Sequence, residues 1–167
     1  MEFLETVKSR YSVRGYETRP VEPEKLQAIL EAARIAPTAS NRQAFKIIVI
    51  DTTANRDKLK VIYGREWFTE APLVIGVCSL PQETWVRGDG KNYSDVDAAI
   101  IMDHIVLAAT ALGLGTCWVA AFDARAAREF LELDDSWEPV VFTPLGYRRA
   151  GNPNRLKKPL EDLVIYR

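Results

Sequence analysis

Three short stretches of this sequence concentrate side chains that can do chemistry. In Ser9-Arg10-Tyr11-Ser12-Val13-Arg14, two arginines stand four residues apart with hydroxyls between them. Guanidinium forks so placed can clamp a phosphate and a second electron-rich group. Pro37-Thr38-Ala39-Ser40-Asn41-Arg42-Gln43 gathers small side chains, amides and hydroxyls, a set able to offer donors to a planar heterocycle. Arg155-Leu156-Lys157-Lys158-Pro159 is basic. Taken singly, each has a plainer account: a solvated basic helix end, an ordinary loop and a solvated basic run.

Other machinery is missing. No GxGxxG follows a strand pattern, and Gly88-Asp89-Gly90-Lys91 lacks the frame of a phosphate-binding P-loop. There is neither an HExxH zinc motif nor a nucleophile elbow. His104 is the only histidine, which leaves almost no room for multi-histidine zinc sites or for Ser–His and Cys–His catalysis, and no metal is expected. His104 lies in an apolar helical stretch and reads as a satisfied core or interface histidine. Cys78 and Cys117 form no CxxC pair and sit in apolar runs, as reduced core thiols of a cytoplasmic protein do. The acidic start Met1-Glu2-Phe3-Leu4-Glu5 shows no secretory signal. A net charge of −1 gives no general attraction to nucleic acid or an anionic membrane, while allowing a local basic patch.

The 167 residues, 47% of them apolar, suit one domain with a substantial core. Residues 2–9 read as a first helix. From Glu24 to Ala36, Leu26, Ile29, Leu30 and Ala33 share one face, bounded by Pro23 and Pro37. Phe45–Ile50 and Leu73–Cys78 are apolar at successive positions, as in strands covered on both faces. Residues 54–62 and 123–132 read as helices, the second with Asp123 as N-cap. Residues 79–92 form the longest loop. Further strands are expected at Thr116–Ala120, Val140–Leu145 and Leu163–Ile165, with a polar, basic segment from Arg148 to Lys158. Helix 95–112 is apolar around nearly its whole circumference, so it must be buried on all sides, and a partner chain is expected over one face. Asp95, Asp97, Asp103 and His104 argue against a membrane span. The class is α/β or α+β, with a few strands between helices.

The clusters gain meaning in combination. Arg10-Tyr11-Ser12-Val13-Arg14, then Ala36 through Phe45, then Leu112-Gly113-Leu114-Gly115-Thr116-Cys117-Trp118 with Phe122-Asp123, then Leu145-Gly146-Tyr147 and Lys158-Pro159-Leu160-Glu161 follow one another in order. Along nearly its whole length the sequence resembles the nitroreductase family of flavoproteins. It departs from the family's pattern at Thr38, where Ser is usual; at Ala44-Phe45, where Pro-Trp is usual; and at Gly64–Trp67, where some members place Asn and Lys.

The resemblance implies an α+β three-layer sandwich with a mainly antiparallel sheet, a single FMN-binding domain over residues 1–167, and a homodimer whose C-terminal segment reaches over the partner. It places Arg10, Ser12, Arg155 and Lys157 at the FMN phosphate and ribityl chain, with Tyr11 beside them. It places Arg14 at the N1/C2 edge of the isoalloxazine, where hydride addition leaves negative charge. Pro37, Thr38, Ala39, Ser40 and Asn41 would come from the other subunit, with Gln43 in the same loop, and Ala120 and Ala121 would present backbone N–H groups to the ring. The implied function is hydride uptake from NAD(P)H onto flavin N5, then electron transfer to a small flat acceptor such as a nitroaromatic or a quinone, with no protein nucleophile. The alternatives are a specialised relative (flavin destruction, reductive dehalogenation or ene reduction) and a non-catalytic FMN-binding or redox-sensing module.

Overall fold

The structure is a computed structural model describing residues 2–151 and 156–167. Helix α1 (Phe3–Ser9) leads through an extended stretch to α2 (Pro23–Arg34), where proline occupies the first turn as expected. Strand β1 (Phe45–Asp51) runs into α3 (Thr52–Ile62), whose N-terminus is capped by Asp51 accepting from Ala54 N–H at 3.2 Å. Then come β2 (Leu73–Ser79), α4 (Ser94–Ala111), the two-residue β3 (Gly115–Thr116), α5 (Ala124–Leu131) and β4 (Glu138–Gly146). Asp123 caps α5, accepting from Ala126 N–H at 2.9 Å. Among the described residues the strands form one antiparallel sheet in the order β1-β2-β4-β3.

Both sheet faces are covered over β2, which is why it reads as an unbroken apolar run; at the edge strand β1 only Ile50 is fully buried and Val49 is exposed, so the full cover expected there is not reached. Side chains alternate across a strand. Ile75 and Val77 of β2, with Val141 and Leu145 of β4, pack against Ile29 and Ala33 of α2 and Ile101 and Ile105 of α4. Val74 and Phe142 point the other way, to Leu59 and Ile62 of α3 and Ala127 of α5. The result is the expected three-layer α+β sandwich.

Helix α4 buries Ile101, Met102, Ile105 and Ala109 wholly against the chain's own α2 and sheet, and leaves its opposite face, where a partner is expected, only partly covered. The remaining stripe carries exposed Asp103 with half-buried Ile100 and Leu107. Two expectations about strands are corrected. The strand expected at Thr116–Ala120 shortens to Gly115–Thr116 because Thr143 Oγ1, rather than a strand carbonyl, accepts the Cys117 N–H at 3.0 Å. Pairing resumes only at an isolated bridge between Val119 and Phe142. Leu163–Ile165 forms no strand. It follows a 3-10 turn at Leu160–Asp162, and Leu163 and Ile165 are exposed: among the described residues they pair with neither of the sheet's edge strands, β1 and β3.

The start of α2 is pinned to the end of β4 by charge. The Tyr147 hydroxyl donates to the Glu22 carboxylate at 2.7–2.8 Å, Lys25 Nζ donates to the same hydroxyl at 2.6 Å, and the Arg19 guanidinium lies 3.9 Å above the Tyr147 ring. The hydrogen bond from Tyr147, helped by Arg19 and Lys25, holds Glu22 down to about 2 from 4.5. A carboxyl depressed in the folded state stabilises the fold above its unfolded value, and that stabilisation drains away as pH falls from 4.5 toward 2. Tyr147→Phe is therefore expected to lower the melting temperature at neutral pH, with the gap to wild type closing across that window. Thermal melts at stepped pH test this, and an equal gap at both ends of the window rejects it.

The sheet end nearest the basic stretch is built on a close approach. A Cβ on Gly115 would stand 2.9 and 3.0 Å from the two Val13 methyls, and Val13 is buried and β-branched, so it has few ways to retreat. Gly115→Ala is expected to cost about 1–3 kcal/mol by overpacking. Chemical denaturation measures it, and a cost below a few tenths would mean Val13 is not fixed there.

Candidate functional site

The basic stretch is laid along the sheet by its own backbone. The Val13 N–H donates to the Thr116 carbonyl at 2.9 Å, and the Glu17 N–H to that of Tyr147 at 2.8 Å. The Gly15 carbonyl accepts the Arg149 N–H at 3.0 Å. Val13 and Tyr16 bury their side chains beside Ala71, and the Tyr16 hydroxyl donates to the Val13 carbonyl at 2.9 Å. Burial raises the Tyr16 phenol far above its ordinary range, so it stays a neutral donor. With alternate residues fixed inward, Arg10, Tyr11, Ser12 and Arg14 are left along a cavity of about 1260 Å³. Its far side is made by Arg149, Gly151, Leu156 and Lys157, and α1 contributes Val7 and Lys8.

The cavity is strongly cationic. Lys8, Arg10, Arg14, Arg149 and Lys157 all line it. Lys8 pairs with Glu5 and Arg149 with Glu70, whereas Arg10, Arg14 and Lys157 form no ion pair among the described residues. Two rings steady the arginines: the Arg14 guanidinium lies 5.8 Å from the Trp67 ring centre, and that of Arg148 lies 5.5 Å from Tyr11. Cys117 lies buried behind this stretch. Burial raises its thiol, although Arg14, Ser12 and Arg10 pull the other way, so it stays protonated and is no nucleophile.

A second feature lies in the loop between α2 and β1. Thr38 is extended, and Ala39–Asn41 make a 3-10 turn. Ser40, Asn41 and Gln43 all have left-handed backbones, with φ of 51°, 53° and 56°. Such conformations are uncommon for residues with a Cβ and are held only by their surroundings. The holding groups are visible. Asp97, buried in the first turn of α4, accepts the Ala39 N–H at 2.8 Å, and Thr38 Oγ1 accepts that of Gln43 at 3.1 Å. The other Asp97 oxygen is buried and accepts no hydrogen bond among the described residues.

Of the residues singled out from the sequence, Arg10, Tyr11, Ser12, Arg14 and Lys157 are thus brought into one cavity. Pro37, Thr38, Ala39, Ser40, Asn41 and Gln43 do not line it, and neither do the exposed Ala120 and Ala121. Arg155 lies outside the described residues. Sequence reasoning missed Arg149 and its partner Glu70, though Arg149 falls inside the basic segment noted from Arg148 to Lys158. It also missed Asp97 as an anchor. The signal there was a carboxylate at the start of an otherwise apolar helix. His104 is satisfied within its own helix, with Nδ1 2.9 Å from the Ile100 carbonyl oxygen. Among the described residues, no helix is long and apolar enough to cross a membrane.

Comparison with known proteins agrees with this architecture. The profile of the nitroreductase family matches residues 7–70 and 60–147. A crystal structure of a nitroreductase family protein from Clostridium difficile 630 superposes with a TM-score of 0.90 at 39% identity, covering 99% of this chain and 98% of that one. An FMN-dependent nitroreductase from Clostridium difficile R20291 superposes with a TM-score of 0.78 at 27% identity, over 92% and 91% of the two chains. A Methanothermobacter thermautotrophicus protein bearing the name NADH dehydrogenase/NAD(P)H nitroreductase is 30% identical over 159 residues, 92% of this chain and 80% of its own length. With the fold, the ordered motifs and the profile in agreement, the chain belongs to the nitroreductase family and is an oxidoreductase.

Proposed function

We propose that the chain is an FMN-dependent oxidoreductase that takes hydride from NAD(P)H and passes electrons to a small flat acceptor such as a nitroaromatic or a quinone. The observation that carries this reading is the convergence of Arg10, Ser12, Arg14 and Lys157 on one cavity of about 1260 Å³, in a chain whose net charge is only −1. The donor set suits FMN: a phosphate dianion is met by guanidinium, ammonium and hydroxyl donors. The family membership and the relatives named for FMN and NAD(P)H support the same reading.

FMN, when bound, supplies the hydride chemistry. The chain's residues bind and orient it. Arg10, Ser12 and Lys157 hold the phosphate end, with Arg155 and Tyr11 completing that set. Arg14, steadied by Trp67, places a fixed positive charge at the N1/C2 edge of the ring. The loop Pro37-Thr38-Ala39-Ser40-Asn41 with Gln43 meets the ring from a second copy of the chain, and Ala120 and Ala121 present backbone N–H groups to the ring. Three facts support a homodimer: that loop does not line its own chain's cavity; Leu160, Leu163, Ile165 and Tyr166 are exposed at the C-terminal segment; and Phe3 and Leu4 are exposed on α1. Apolar surface left out in this way ordinarily marks a protein interface.

Three experiments test the reading. Ile101 is buried within one chain, so charging it would report on folding, whereas Leu163→Asp with Ile165→Asp charges only the exposed segment. Light scattering should find two chains per particle for wild type and single, folded chains for the double variant; a folded, flavin-loaded wild-type monomer at low concentration sinks the dimer. For the site, Arg10→Ala is expected to weaken FMN binding about ten- to a hundredfold, the loss of one charge-assisted contact. Arg14→Ala is expected to lower the midpoint potential of bound FMN more than Arg10→Ala does, because its charge acts on one redox state more than the other. Redox titration of FMN-saturated protein reads this directly, and equal potentials for wild type and Arg14→Ala would remove Arg14 from the ring.

A further inference from the structure

The cavity contains a cation that no motif announced, and its mounting is unusual among those that line it. Arg149 is fixed at both ends. Its backbone N–H is bonded to the Gly15 carbonyl at 3.0 Å. Its side chain pairs through Nη2 with Glu70. Glu70 in turn accepts the N–H of Tyr16 at 3.2 Å, and Tyr16 is 2% exposed. A chain of contacts therefore runs from the packed interior through Tyr16 and Glu70 to a guanidinium at the cavity wall. That guanidinium lies against the basic stretch itself: a Cβ at Gly15 would stand 3.6 Å from Arg149 Nε and 3.7 Å from Nη2. A guanidinium has five N–H donors. Glu70 occupies Nη2, while Nε and Nη1 make no hydrogen bond among the described residues.

We infer that Arg149 is a further ligand of the cofactor's phosphate, and that it adds, beside Arg10, Ser12 and Lys157, to the site's selection of FMN over unphosphorylated riboflavin; the inference rests on the FMN reading above. A guanidinium clamped on one edge by a carboxylate has already given up its rotamer freedom, so presenting the other edge to an anion needs little further ordering. Arg10 and Lys157 are longer-leashed cations with no such clamp among the described residues. Glu70 is thus a positioning residue. It acts through Arg149 and does not itself meet the phosphate, which its charge would repel.

The test compares FMN with riboflavin, which differ only in the phosphate. Wild type, Arg149→Met and Glu70→Gln are titrated with each flavin, following quenching of flavin fluorescence, and the ratio of the two affinities is taken. Arg149→Met is expected to lose about tenfold or more in FMN affinity while riboflavin affinity stays within about twofold. Glu70→Gln removes a competing anion but keeps, in its amide oxygen, an acceptor for the Tyr16 N–H and Arg149, so the guanidinium stays placed and the preference for FMN should persist. Arg149→Gln gives the same reading if methionine compromises folding. A wild-type ratio in both Arg149 variants overturns the inference. So does an equal fall of the ratio in Glu70→Gln, because the pair would then be a structural staple. A wild-type chain that binds neither flavin overturns the FMN reading itself, and this inference with it; wild-type binding with an unchanged ratio in the variants overturns this inference alone.

Discussion

Between Ser12 and Glu17 the backbone is caught by two separate parts of the sheet. Thr116 takes the Val13 N–H on one side, while Tyr147 and Arg149 pair with Glu17 and Gly15 on the other. Everything at the cavity depends on this capture, because it must hold against electrostatics. Arg10, Arg14, Arg149 and Lys157 repel one another across the cavity. Exposed charges in water interact by only about 1 kcal/mol or less per pair. The capture supplies several backbone hydrogen bonds of about 1 kcal/mol each, together with the buried Val13 and Tyr16 side chains at roughly 1.5–3 kcal/mol apiece. Packing wins, and the cations are held closer than they would stand in a free chain.

The same comparison explains why the protein can be nearly neutral and still bear a strongly positive hollow. Several carboxylates are already used. Glu70 is committed to Tyr16 and Arg149, and Glu5 to Lys8. Glu22 is committed to Tyr147, Lys25 and Arg19 at the start of α2. What remains unopposed among the described residues is a set of cations at one place, rather than a charge spread over the surface.

Much of this was legible in the sequence, and the legible part was the part governed by local rules. The unbroken apolar run of β2 announced a strand covered on both faces, Asp123 announced the cap of α5, and the spacing of Arg10, Ser12 and Arg14 announced a side of the cavity. The errors came where a distant group decides. The Thr143 hydroxyl ends β3 early by taking the Cys117 N–H, and nothing near Cys117 says so. Leu163–Ile165 has the composition of a strand yet pairs with neither sheet edge of its own chain among the described residues. Glu70 and Arg149 are 79 residues apart, so their pairing exists only once the fold has been made.

The loop anchored by Asp97 has a consequence for how the protein tolerates change. At Ser40, Asn41 and Gln43 the backbone adopts conformations in which glycine would be free of steric penalty. The chain instead keeps a hydroxyl and two amides there, at a cost in conformational energy that the Asp97 and Thr38 contacts must offset. Substitution to glycine would relieve that strain, yet it would also widen the freedom of the unfolded chain and delete the polar groups. The two effects on stability oppose one another at these three positions, whereas the loss of the polar groups has nothing to offset it. The loop's side chains are therefore set by what they present rather than by the backbone they must adopt.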